Sequence, residues 1–347
     1  MRKVLALTTL HDSATVSSLH DQGCSVVPLI LDHQLHNALD LLDSVLNRYP
    51  PTSLASAKRT WLPFAEKVGN LLTLQAAGAG ESLEWDEIPG RFSRVLVISD
   101  RIIPVDLIPC RGTLLGIECI VAHIGPRAEA DAQVARYLED EELPLRRIAH
   151  VCSYDPGTTP LNKMDVISAT LSLDNRLAIE HYFYPTKEVA AGLFQRGDID
   201  ILHFECHGTV SSLQVDNPYG IPIDVRDLHS SIGPSVYFFL GCSAGGDIAG
   251  VAPTFVRKGA RASVGAYCRF LSGGSSGEVS VSSFYDTLYK KIVAGESLGE
   301  SIRAGREAAA PDRIYYCAWL LFGNPSASFS VQKFGGATAK PATQASC

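Results

Sequence analysis

The sequence predicts an α/β protein built on a parallel-dominated sheet flanked by helices. Ile199–Phe204 and Val236–Leu240 are apolar runs rich in β-branched and aromatic residues with little alternation, as strands covered on both faces read. Helix-patterned stretches and small-residue turns lie between such runs, which is the rhythm of βαβ units. A chain of 347 residues, 46% hydrophobic, can bury a large core and is long enough for two domains.

Taken in order, Met1–Leu7 and Ser25–Leu31 are predicted strands flanking a short helix. His36–Asn47 and Ala55–Gln75 carry apolar residues at helical spacing, interrupted by Tyr49-Pro50-Pro51-Thr52. Gln75–Glu81 is a predicted loop, and Arg94–Ser99 and Leu114–His123 return as strands. Ala128–Glu142 is a charged helix ending near Pro144. Strand-helix alternation restarts at Ile148–Tyr154, followed by helices at Asp165–Leu173 and Glu188–Arg196. Val281–Gly295 and Leu298–Ala309 are helical in pattern, and Phe334–Cys347 is poor in bulk and predicted to be a disordered tail. The restart divides the chain into an N-terminal α/β region (1–144), a second unit (145–332) and a tail (333–347).

Composition removes several classes of function. The net charge is −7 and no Lys/Arg cluster is interleaved with aromatics, so no direct nucleic-acid partner is expected. No eighteen-residue apolar run suits a membrane span, and the start MRKVLALTTLHDSATV turns polar too early for a signal peptide. Nine cysteines without regular spacing suit reduced thiols in a cytoplasmic setting. There is no internal repeat and no phosphate- or dinucleotide-binding glycine motif, and no cofactor is expected.

The chemistry concentrates in Leu202–Gly208 (LHFECHG) and Val236–Gly246 (VYFFLGCSAGG), each an apolar run leading into a small-residue turn. One ends at His207 and the other at Cys242. A cysteine nucleophile needs a base that is near in space but distant in sequence. Ligands of an open parallel sheet bind beyond the carboxyl ends of its strands, and neighbouring strands lie about 4.8 Å apart. An imidazole closing one strand therefore reaches a thiol closing the next. Gly208 and Ser243–Gly246 lack bulk, and the amides of Gly208 and Cys242 are candidates for an oxyanion hole.

Bland readings stand beside these. A buried free cysteine is ordinarily a small hydrophobe, and Cys206 is expected to point to the opposite face, into the core. Glu205 and His203 share the side of His207 and are read as packing or hydrogen-bonding residues rather than catalytic ones. His203, Glu205, His207 and Cys242 also raise the question of a metal. The chain lacks the close ligand pairs, such as C-x-x-C, of ordinary zinc sites, so none is expected.

ILHFECHG and FFLGCSAGG resemble the caspase, separase and gingipain clan of cysteine peptidases, and within it the CHAT peptidases most. Phe255–Ala266, Val281–Gly295, Leu298–Ala309 and Trp319–Asn324 follow the order of that family, and Ile102–Ile124 is loosely similar to the segment that opens its region. The resemblance covers roughly residues 94–331. Gly241-Cys242 stands where family members often have Ala-Cys, and Tyr267 where they often have Leu-Trp. The resemblance implies a caspase-like fold whose N-terminal half is either a pseudo-protease or an unrelated regulatory cap. It implies a cysteine endopeptidase with His207 and Cys242 as its dyad, acting on a protein substrate in bacterial antiviral defence or programmed death. A protein partner or a small signal ligand would activate it. By position it places Asp155, Asp247, Tyr267 and Arg269 in the substrate pocket, and the two acids favour a basic residue before the cut. Asp155 in Asp-Pro-Gly is also a turn former, Asp247 is also a helix cap, and Tyr267 and Arg269, which would flank an extended peptide, read equally as surface or packing residues. The alternative is a catalytically inactive caspase-like scaffold or binding module.

Overall fold

The structure, a computed structural model, describes residues 3–10, 13–49, 54–125, 137–153, 176–216, 222–228, 232–240, 243–268, 278–309 and 315–332. The predicted helix at 165–173 and the tail at 333–347 lie outside them, as does most of the helix predicted at 128–142.

The N-terminal region opens with β1 (Val4–Thr8), α1 (Ser13–Asp21) and β2 (Cys24–Pro28). Helix α2 (His33–Arg48) starts where Asp32 Oδ1 accepts from the amide of Leu35, and it buries Leu35, Ala38, Leu39, Leu42 and Leu46 at helical spacing. The stretch read as one helix over Ala55–Gln75 is a turn at Leu54–Ala57 followed by α3 (Leu62–Gly78). Pro63 falls in the first turn of α3, where its missing N–H costs nothing. The helix also runs on through Ala76 and Ala77 into the predicted loop, in keeping with the helix propensity of alanine.

Strand β3 (Arg94–Ile98) is followed by the short antiparallel pair β4 (Pro109–Cys110) and β5 (Thr113–Leu114). The strand expected over Leu114–His123 is a helical turn, Leu115–Glu118, and then β6 (Ile120–Ile124). A short apolar run does not declare its period, and Gly116 here packs closely on Asp106 and Arg306. Glu142, assigned to a helix by its charge pattern, opens β7 (Glu142–Leu145).

Next come β8 (Arg147–Cys152), β9 (Ala178–Phe183), α4 (Lys187–Leu193) and β10 (Ile201–Glu205). The small strands β11 (His207–Gly208), β12 (Ser212–Gln214) and β13 (Ile223–Asp224) form a separate antiparallel sheet. The chain continues through β14 (Val236–Leu240), α5 (Val251–Arg257), β15 (Ala262–Ala266), α6 (Glu278–Val293) and α7 (Leu298–Ala309). Strand β16 (Trp319–Gly323) completes the main sheet, and β17 (Ser328–Val331) pairs with β7.

Among the described residues, ten strands make one sheet in the order β2-β1-β3-β6-β16-β15-β14-β10-β8-β9. All its pairs are parallel except β15 with β16. The fold is thus α/β with a parallel-dominated sheet flanked by helices. Two parallel blocks of five strands run in opposite directions and meet at the antiparallel pair. Strands from residues 1–144 and from 145–332 share this sheet, and Asp106, His123 and Arg306 brace it internally. His123 Nε2 lies 2.8 Å from one Asp106 oxygen, while the Arg306 guanidinium lies 2.9 Å from the other and donates to the carbonyls of Gly116, Tyr316 and Trp319.

Aromatic side chains fill both faces around β10 and β14. Phe204, Phe239, Tyr237, Phe194 and Phe255 stack on one, and Phe238, Trp319, Tyr285 and Tyr289 pack against His203 on the other.

Candidate active site

Strands β10 and β14 lie side by side in the interior of the sheet, in parallel register from Ile201 with Val236 to Glu205 with Leu240. Their carboxyl ends open together, as expected for adjacent parallel strands. His207 follows two residues after Glu205, in β11, where it pairs with Gln214 and is exposed to solvent. It has left the main sheet, so it does not share the buried face of His203 and Glu205, as the sequence suggested; those two are 0% and 1% exposed. Cys206, between Glu205 and His207, is buried in the core of the opposite face.

A tight hairpin holds the histidine turn. The amide of Thr209 donates to Ser212 O, and Thr209 Oγ1 accepts from the amides of Ser211 and Ser212. Gly208 pairs with Leu213 on the returning strand. Cys242 and Gly241 lie outside the described residues, which resume at Ser243. Ser243 has φ 58°, in the left-handed region that non-glycine residues seldom adopt, and its amide donates to Cys268 O. From there the loop lies along β15: the Gly245 amide donates to Ala266 O, and the Ala252 amide to Ala244 O.

Two of the loop glycines are required by packing. A Cβ on Gly245 would sit 2.4 Å from Gly265 O, and one on Gly246 2.6 Å from Tyr267 O. Small residues are needed here for the loop to pack on its own strand, and that packing accounts for them without a substrate. The amide of Val251 donates to Val210 O at 2.8 Å, so the loop after Ser243 is tied to the histidine hairpin.

Gly208, Thr209, Val210 and Ser243 border a cavity of about 580 Å³ whose remaining described lining is Ser44, Asn47 and Arg48 of α2. The sequence offered no signal for this wall, because these three are merely exposed positions on an amphipathic helix. Asp43, on the same helix, accepts from the phenol of Tyr267 and from Arg101. Tyr267, expected to flank a substrate, is only 6% exposed and its hydroxyl is committed to Asp43. Burial pushes the Tyr267 phenol well above its ordinary range and also raises Asp43, against the lowering effect of Tyr267 and Arg101. Asp247 is exposed and its Oδ1 accepts from the amide of Ala249, forming a turn before α5. Asp155 and Arg269 lie outside the described residues.

The described cysteines are free thiols. Desolvation by burial pushes Cys24 and Cys119 up to about 11, and Cys110 and Cys317 to about 12. Such thiols stay protonated at neutral pH and make poor nucleophiles.

No helix among the described residues is long and apolar enough to cross a membrane. No protein-family model matches the chain, and no curated protein sequence matches it. Among solved structures, two of the Saccharomyces cerevisiae separase–securin complex contain chains similar to it. One match has a TM-score of 0.44 at 12% identity, covering 84% of this chain and 20% of that one. The other has a TM-score of 0.48 at 12% identity, covering 91% of this chain and 23% of that one. This chain spans about a fifth of the length of the first.

Proposed function

We propose that the chain is a cysteine endopeptidase of the caspase, separase and gingipain clan, nearest in its motifs to the CHAT peptidases, with Cys242 as nucleophile and His207 as its base. The observation that carries this reading is the in-register pairing of β10 with β14. It brings the segments that follow them to one edge, where Gly208 and Ser243, the sequence neighbours of His207 and Cys242, border a common cavity.

A free thiol has a pKa of about 8.5, so the imidazole must take the proton of Cys242 as its sulfur attacks the scissile carbonyl carbon. His207 then gives that proton to the leaving amine. Water, deprotonated by the same imidazole, cleaves the thioester and restores the thiol. The amides of Gly208 and Cys242 would hold the oxyanion.

The substrate is a protein. Asp155 and Asp247 favour a basic residue before the cut, while Arg48 adds a cation to the cavity that would meet an acidic side chain elsewhere on the peptide. Residues 1–144, as a pseudo-protease or a regulatory cap, would control access through α2, under a protein partner or a small signal ligand. The setting implied by the CHAT resemblance is cytoplasmic, in antiviral defence or programmed death.

The test is to incubate a peptide library with the wild-type chain and with Cys242→Ala and to sequence the new termini. Termini produced only by the wild type support the peptidase. Identical products from the two proteins would instead fit the scaffold reading, in which the fold binds without cleaving.

A further inference from the structure

Three histidines far apart in sequence come into one row. In the parallel register His181 of β9 faces His150 of β8, and His150 faces His203 of β10. Ring centroids are 5.8 Å apart for the first pair and 5.0 Å for the second. Glu205 lies one step further along the same face of β10. His150 and His203 are fully buried and Glu205 is 1% exposed. One donor atom from each of these three lies within 4.8 Å of the others.

We propose that His150, His203 and Glu205 bind a divalent transition-metal ion of the zinc type. The donor set is the first argument: two imidazoles and a carboxylate suit zinc, whereas calcium and magnesium prefer oxygen alone. Orientation is the second. Tyr289 Oη lies 2.7 Å from His203 Nδ1, leaving Nε2 as the coordinating nitrogen, and Nε2 is 4.0 Å from Glu205 Oε1. That gap is too long for a hydrogen bond. Metal bonds of about 2.0–2.2 Å bridge it after an inward shift of about 1 Å in total. In the bound tautomer Nδ1–H donates to the phenol, the outer hydrogen bond that ligating histidines usually make.

His181, the outer member of the row, is exposed on the edge strand β9. The sequence set His203 and Glu205 beside His207 and Cys242 and led to no metal being expected; it could not show His150, which comes from a different strand.

The full-length chain carrying Cys242→Ala and His207→Ala, so that the proposed dyad cannot take the metal, is purified without a histidine tag and stripped with chelator. Cobalt should bind at one equivalent with visible ligand-field bands and no thiolate charge-transfer band, and zinc should displace it. Glu205→Gln should abolish binding, and Tyr289→Phe should weaken it about 10- to 100-fold. X-ray absorption at the zinc edge of the parent needs no further variant and should show imidazole and oxygen neighbours. Absence of cobalt bands in the folded parent, sulfur in the metal shell, or full binding by a folded Glu205→Gln protein would overturn the site.

Discussion

The phenol of Tyr267 donates to the carboxylate of Asp43, 224 positions earlier in the chain. Tyr267 directly follows β15, and Asp43 lies on the helix that forms part of the cavity wall, so one hydrogen bond fixes α2 against the sheet. Arg101 adds ion pairs to Asp40 and Asp43. Replacing Tyr267 by Phe leaves Asp43 without its neutral donor. The expected cost is about 1–3 kcal/mol, seen as a lower urea midpoint at unchanged slope, with faster amide exchange over residues 40–48. A midpoint and exchange pattern like those of the wild type would show that α2 is held by other means.

The loop after Cys242 should tolerate no side chain at Gly245. The added methyl meets the carbonyl of Gly265 in backbone that cannot easily retreat. Gly245→Ala should cost about 1–3 kcal/mol of stability. Gly78→Ala is the control: its Cβ meets nothing within 4 Å at the end of α3, and the change should be neutral or stabilising by up to about 1 kcal/mol. Equal effects of the two substitutions on the thermal midpoint would contradict the packing account.

Arg306 reaches three backbone carbonyls and the carboxylate of Asp106 while only 2% exposed. A lysine has a single charged nitrogen and cannot reproduce that fork. Arg306→Lys and Asp106→Asn should each cost about 3–5 kcal/mol, because each leaves a buried charge poorly matched. Denaturant unfolding within about 0.5 kcal/mol of the wild type would remove this network from the fold's stability.

The buried thiols predict an alkaline limit. Burial pushes Cys24, Cys110, Cys119 and Cys317 up to about 11 to 12 in the fold, well above the roughly 8.5 of a free thiol. The folded state therefore holds protons that the unfolded chain releases, so their contribution is fully present below about pH 9 and is lost as pH rises towards 12. Stability followed from pH 8 to 11 should fall from about pH 9 onward. Replacing Cys317 with Ala should flatten that slope, and an unchanged slope would assign it to other groups, such as the buried tyrosines.

Much of the architecture was legible because its determinants are local. The uninterrupted apolar runs of β10 and β14 announce buried parallel strands, and the spacing of Leu35, Leu39, Leu42 and Leu46 announces α2. The turn at Leu115–Glu118 was not legible, since four apolar-rich residues carry no period. Nor was the antiparallel meeting of β15 with β16, because strand direction is decided by connections rather than by composition. At the candidate site, the sequence put His207 in a turn after the β10 run, but its departure from β10 into the small sheet was not legible. The α2 wall was invisible for a different reason: Ser44, Asn47 and Arg48 acquire their place only through tertiary packing.

The central claim is that His207 activates Cys242. The direct measurement is mass spectrometry of the full-length chain after incubation with peptidyl electrophiles, one bearing a basic and one an acidic residue before the reactive group, alongside Cys242→Ala and His207→Ala. The account predicts one adduct, on Cys242, that disappears in both variants, while Cys24, Cys110, Cys119 and Cys317 stay unmodified. Equal labelling of Cys242 with and without His207, or labelling spread over the other thiols, would contradict it.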